Sequence, residues 1–171
     1  GVTVLGDDTW FNLFPGLLNA SHSLPFDSVD TRDFYSVDRG VEQCLFTGCN
    51  LTATAVGGGR GLVGGRDSET PALFKPWRFL VAHFLGVDHV GHTLSAQRGR
   101  TALPPHEEGV MAERLGAMGA AAERAIAELD ALQQEYVFVL MGDHGMTDEG
   151  NHGGATDAET SSVFFVYSSQ A

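Results

Sequence analysis

Asp88, His92, Asp143, His144 and His152 are the residues of this chain whose types and spacing could do chemistry. Asp88-His89-Val90-Gly91-His92 follows an apolar run at 78–86, and Asp143-His144-Gly145 follows another at 136–142, with His152 shortly downstream. Carboxylate oxygens and imidazole nitrogens are ligands for zinc and similar cations. Two such clusters can build a two-metal site, which polarises phosphoryl oxygens and stabilises both the entering and the leaving group. Asp88 and Asp143 would supply negative charge between mutually repelling cations, and the three histidines would supply neutral imidazoles. The chemistry indicated is metal-assisted phosphoryl transfer.

Each residue also has a plainer reading. Asp88 and His92 stand four apart, so one helical turn puts both on the same face and points His89 elsewhere. His89 is therefore expected outside the ligand set, behind it or on the surface. His83, within an apolar strand, reads as a satisfied core histidine. His22 and His106 fall in loops with no partner in view. For Asp143, His144 and His152 a surface loop is the alternative, but a buried strand emptying into Gly-Asp-His-Gly favours a site.

The elements that must carry these residues can be sketched from periodicity. The run at 78–85 is nearly continuously apolar, as in a parallel strand covered on both faces. Met111, Leu115, Met118, Ala122, Ile126, Leu129 and Leu132 repeat every three or four positions, predicting an amphipathic helix over about 106–134 with those residues inward. A second buried strand is expected at 136–141 and a last one at 162–167. Strand, helix and strand in that order predict a βαβ unit with parallel strands. Asp88 and Asp143 would then share one sheet edge, where open α/β sheets place ligands. Upstream, a buried strand at 2–5 ends in the turn Gly6-Asp7-Asp8-Thr9, followed by an aromatic segment at 10–14. Helical spacing returns at 36–46, with loop at 21–35. The fold class expected is α/β, a mostly parallel sheet with helices on both faces. The glycine-rich tract lacks the phosphate-loop pattern, and 57–69 reads as a flexible insertion.

With 43% apolar and 19% charged residues in 171, the chain is globular and forms one domain or part of one. A net charge of −12 argues against a nucleic-acid partner. No stretch reaches the roughly 20 apolar residues that span a bilayer. The start lacks an initiator Met and a basic leader, so the chain reads as the continuation of a longer one. Cys44 and Cys49 could form a short-loop disulfide, clip a metal or stay unpaired. Asn19-Ala20-Ser21 and Asn50-Leu51-Thr52 have the form of glycosylation acceptors, a hint of a lumenal or extracellular compartment.

Phe84-Leu85-Gly86-Val87-Asp88-His89-Val90-Gly91-His92, Met141-Gly142-Asp143-His144-Gly145-Met146-Thr147 and Asn151-His152-Gly153-Gly154 resemble the alkaline phosphatase superfamily. Within it, they are most similar to the glycosylphosphatidylinositol (GPI) ethanolamine phosphate transferases. Gly6-Asp7-Asp8-Thr9-Trp10, with Leu13-Phe14-Pro15-Gly16 and the tail at 163–168, looks most like the third-mannose type. The match spans nearly the whole chain, apart from the glycine-rich insert and a long stretch at 93–105.

The resemblance implies an alkaline-phosphatase-like catalytic domain with two zinc ions. Asp88, His92 and His152 would bind one, and Asp143 with His144 the second. It implies phosphatidylethanolamine as donor and a GPI-precursor mannose as acceptor, in the lumen of the endoplasmic reticulum. Membrane contact would come through transmembrane segments outside this chain, and a small membrane-protein subunit would be a further partner.

An Asp on the family's first strand and a nucleophilic Thr after it have no counterpart here. The chain is thus expected to be a C-terminal portion of the domain, N-terminally incomplete and inactive alone. Thr9 belongs to its own motif and is not that nucleophile, while Asp7 and Asp8 read as structural or acceptor-side residues. The sequence is also compatible with another metal-dependent hydrolase of the superfamily and with a non-catalytic module.

Overall fold

The computed structural model describes residues 2–15, 24–26, 30–47, 77–95 and 109–170, which fall into two compact units, Gly1–Gly86 and Val87–Ala171. The glycine-rich stretch at 57–69, both acceptor triplets, Cys49, His22 and His106 lie outside the described residues.

In the first unit, β1 (Val2–Asp7) runs between β2 (Leu24–Phe26) and β3 (Phe79–Ala82) and pairs with both in parallel. Leu5 stands opposite Leu24 on one side and Ala82 on the other. Thr3, Val4 and Leu5 are buried, as a central parallel strand requires. Against this strand lies α2 (Ser36–Phe46), whose Val37, Val41, Cys44 and Leu45 make a buried stripe at helical spacing. The helix begins where Asp33 folds its carboxylate back to accept from the N–H groups of Tyr35 and Ser36. Cys44 is in a disulfide, which selects among the three alternatives its spacing left open. β3 is shorter than expected and is not covered on both faces, since Phe79 is exposed.

Asp38 is a buried carboxylate that sequence patterning did not single out. Its Oδ1 accepts from the N–H groups of Leu85 at 2.9 Å and Gly86 at 3.1 Å. Both donors lie at the entry to α3 (Gly86–Ser95), where first-turn N–H groups have no partner within the helix. Replacing Asp38 by alanine leaves these donors buried and unpaired, and should lower stability by about 2 kcal/mol in urea unfolding.

At the carboxyl end of β1 the polar side chains satisfy one another. The Thr9 hydroxyl donates to Asp7 Oδ2 at 2.5 Å, and Trp10 Nε1 donates to His83 Nδ1 at 3.0 Å. His83 is thus a satisfied structural histidine, though its side chain stays about a quarter exposed (25%). Gly6 makes room for this knot, because a Cβ there would lie 2.9 Å from that of His83. Asp7 and Thr9 are engaged in holding the strand end together.

The second unit carries most of α3, then α4 (Val110–Ala131), β4 (Val137–Met141), α5 (Asp157–Thr160) and β5 (Phe164–Ser168). α4 forms where expected, but it buries Val110, Arg114, Ala121, Ala125 and Leu129, while Leu115 is exposed. Leu129 is thus buried as expected, whereas Met111, Met118, Ala122, Ile126 and Leu132 are half-buried and the most buried positions upstream lie one residue before the expected ones. Tyr136 ties the end of this helix to the next strand, its hydroxyl donating to Asp130 Oδ1 at 2.7 Å. Burial and that carboxylate push the phenol above its ordinary pKa.

Among the described residues β4 does not take the parallel partner expected from the βαβ order. β4 pairs antiparallel with β5, Met141 opposite Phe164 and Val137 opposite Ser168, in a sheet separate from that of β1–β3. Hydrophobic periodicity records which faces a strand presents, and it does not name the neighbour. The strand is not buried on both sides either, since Val137, Val139 and Met141 alternate outward. The α/β class with a small parallel sheet stands, as in an alkaline-phosphatase-like domain. Among the described residues no helix is long and apolar enough to cross a membrane.

Candidate metal centre

The helix predicted between Asp88 and His92 is present, and one turn of α3 places the two side chains together, with His92 Nε2 3.4 Å from Asp88 Oδ2. His89, between them, is buried on another face, so it lies within the protein and outside the ligand set. Gly91 lets the loop after β4 close onto this helix, since a Cβ there would overlap the Met146 thioether.

His152 enters from that loop. Its Nε2 stands 3.4 Å from Asp88 Oδ1 and 3.0 Å from His92 Nε2. Asp88, His92 and His152 could hold a metal ion, since one donor atom from each lies within 4.8 Å of the others. Donors bound at zinc-like distances around a tetrahedral cation stand about 3.3 Å apart, and the two imidazole nitrogens, 3.0 Å from each other, each lie 3.4 Å from a different oxygen of Asp88. Asp88 Oδ1 is buried and has no hydrogen-bond partner, a costly state for a carboxylate oxygen unless a cation faces it. The donor set, one carboxylate and two imidazoles, fits a divalent metal of the zinc type.

Asp143 and His144 lie beside the triad. The His144 ring stacks on that of His152 with centroids 4.0 Å apart and planes 22° apart. His144 Nδ1 lies 2.9 Å from the carbonyl of Gly145, so as a donor it leaves Nε2 with a free lone pair, 3.6 Å from Asp143 Oδ2. All five residues singled out by type and spacing therefore fall in one connected cluster within the second unit.

The turns carrying them are fixed by backbone contacts. Gly142 donates to the carbonyl of Val163 at 3.1 Å and accepts from Ser162 Oγ at 2.7 Å. Thr147 and Asn151 close the turn before His152 through two hydrogen bonds, at 2.9 and 3.2 Å. α5 then starts with Thr156 and Glu159 in a reciprocal capping box. Patterning of apolar residues passed over this helix, but Thr-x-x-Glu is itself a readable helix-start signal.

Glu159 is buried, and hydrogen bonds from the Thr156 hydroxyl, the Thr156 N–H and the Gly154 N–H hold its carboxyl below its ordinary value, against the opposing effect of burial. A carboxylate with a depressed folded pKa stabilises the fold above its unfolded value, here 4.5, and the contribution is lost as pH falls through the folded value. Glu159→Gln should therefore flatten the acid limb of a melting-temperature profile below about pH 4.5.

Helix-borne Asp and His, joined by a Gly-Asp-His-Gly turn and a later His within an α/β fold, gather a donor set that could hold a metal ion. Residues 28–159 match the family described as type I phosphodiesterase / nucleotide pyrophosphatase, and the chain belongs to that family. Among curated proteins it is 36% identical over 99% of its length to the mouse (Mus musculus) GPI ethanolamine phosphate transferase 3, catalytic subunit, covering 12% of that protein. It is 35% identical over 98% of its length to GPI ethanolamine phosphate transferase 3 of Schizosaccharomyces pombe, covering 14% of it. It is also 35% identical over 94% of its length to GPI ethanolamine phosphate transferase 2 of Candida glabrata, covering 16%. The chain thus spans a small part of each of these relatives. No solved structure matches it.

Proposed function

We propose that this chain is the metal-holding portion of the catalytic domain of a GPI ethanolamine phosphate transferase. The observation that carries the reading is the convergence of Asp88, His92 and His152 at 3.0–3.4 Å, in a chain whose relatives bear that name. In this reading Asp88, His92 and His152 hold one zinc ion, and Asp143 with His144 contributes to a second. The bound metals supply Lewis acidity toward phosphoryl oxygens. Asp88 provides the anionic charge of the triad. The Gly145 carbonyl orients His144, whose Nε2 is kept available. The nucleophilic threonine is assigned to no residue of this chain.

The donor in this reading is phosphatidylethanolamine and the acceptor a mannose of the GPI precursor, the third by the Gly6–Trp10 motif. The disulfide at Cys44 supports an oxidising compartment, in keeping with the lumen of the endoplasmic reticulum. Membrane segments and a small membrane-protein subunit would be contributed by the intact protein and its assembly.

The test supplies the intact protein with phosphatidylethanolamine labelled in its ethanolamine and a trimannosylated GPI glycan. Label should pass to the glycan, and chelation should stop it. The family description also names phosphodiesterase and nucleotide pyrophosphatase activity, which favours a hydrolase as the second reading. Release of free phosphoethanolamine, or cleavage of a nucleotide diester, with no labelled glycan would establish that instead.

A further inference from the structure

We propose that Glu159 is a positioning residue of the metal centre, one side chain and one carbonyl that hold both imidazole-bearing turns in register. The inference rests on reading Asp88, His92 and His152 as metal ligands. The Glu159 backbone carbonyl accepts from Gly145 N at 2.8 Å, immediately after His144. Its carboxylate accepts from Gly154 N at 3.1 Å, two residues after His152, and from Thr156 N at 3.2 Å and the Thr156 hydroxyl at 2.6 Å. The two histidines so anchored are the pair whose rings stack at 4.0 Å.

The fit around this residue is close. A Cβ on Gly154 would lie 2.5 and 2.6 Å from the two carboxylate oxygens, and one on Gly145 would run into the carbonyls of Ala158 and Ser161. α5 is 4 residues long, too short to persist by its own hydrogen bonds, so its presence here reflects what it fastens. Three donors meeting two oxygens also call for a carboxylate, because a glutamine would turn an amide nitrogen toward at least one of them.

A helix cap that only stabilised the fold would alter melting and leave metal affinity alone. Cobalt(II) titration of the intact protein separates the two, because the visible bands of bound cobalt report ligand geometry. Glu159→Ala should weaken cobalt binding about 10- to 100-fold and change the bands, as loss of outer partners does at other metal sites. Glu159→Gln, which keeps one oxygen, should fall between alanine and the parent. His152→Ala should abolish binding at the triad and leave that of the second site. If both Glu159 variants bind cobalt with parental affinity and bands while His152→Ala does not, the inference is overturned whatever happens to melting. If Glu159→Ala does not fold, the glutamine variant decides alone by the same measure. Parental binding by His152→Ala would overturn the ligand assignment instead.

Discussion

Asp88→Asn should weaken zinc binding at the triad by about three orders of magnitude and abolish activity. Asp88 presents one carboxylate oxygen to His92 and the other to His152, each at 3.4 Å. Its Oδ1 is buried and accepts no hydrogen bond, and the groups that face the carboxylate are the two imidazoles. Asparagine preserves the size and shape of the side chain but leaves two neutral imidazoles without an anion, a much poorer set for a divalent cation. Removing the buried orphaned oxygen also relieves a desolvation cost in the metal-free protein, so melting without metal should hold steady or rise. Zinc titration by calorimetry beside a thermal melt in chelator makes the comparison. Retained affinity would show that the triad is a hydrogen-bonded cluster and holds no metal.

Gly145→Ala should cost about 3 kcal/mol or more, among the largest stability losses for so small an addition. The added methyl would enter the space of two backbone carbonyls, those of Ala158 and Ser161, and backbone cannot rotate away as a side chain can. Moving the turn instead would break the bond from Gly145 N to the Glu159 carbonyl. The contrast lies in α4, where Gly116 and Gly119 have nothing within 4 Å of an added Cβ. There Gly→Ala should raise stability by about 0.5–1 kcal/mol, because alanine loses less backbone freedom in a helix. Urea unfolding of the three variants should therefore give shifts of opposite sign. Equal shifts would contradict the close packing of the Asp143–Gly145 turn.

The grouping of the candidate ligands was more legible in the sequence than the pairing of the strands. Asp88 and His92 declare themselves because i, i+4 spacing is a local property of one helical turn. Asp143, His144 and His152 follow from a glycine-bounded turn at a strand end. α2 was predicted over its observed range, 36–46, since its apolar residues keep strict spacing. Pairing is different in kind: the residues of β4 say nothing of whether β3 or β5 lies beside them, and the antiparallel partner was not anticipated. In α4 the expected stripe holds at Leu129 and fails at Leu115, which is exposed beside a buried Arg114, because a long charged side chain reads as solvated from sequence. Asp38 and Glu159 escaped notice because a charged residue reads as solvated until a backbone donor is found against it.

His92 and His152 stand 60 positions apart along the chain, yet their ring nitrogens meet. A cation joining them acts on the polymer as a cross-link, closing a loop as a disulfide of the same span would. Such closure removes about 4 kcal/mol of chain entropy from the unfolded state. Metal release and unfolding of Val87–Ala171 should then be one cooperative event. In the proposed function, an ion bound there would be both the activator of a phosphoryl group and the clasp that determines how long this unit survives.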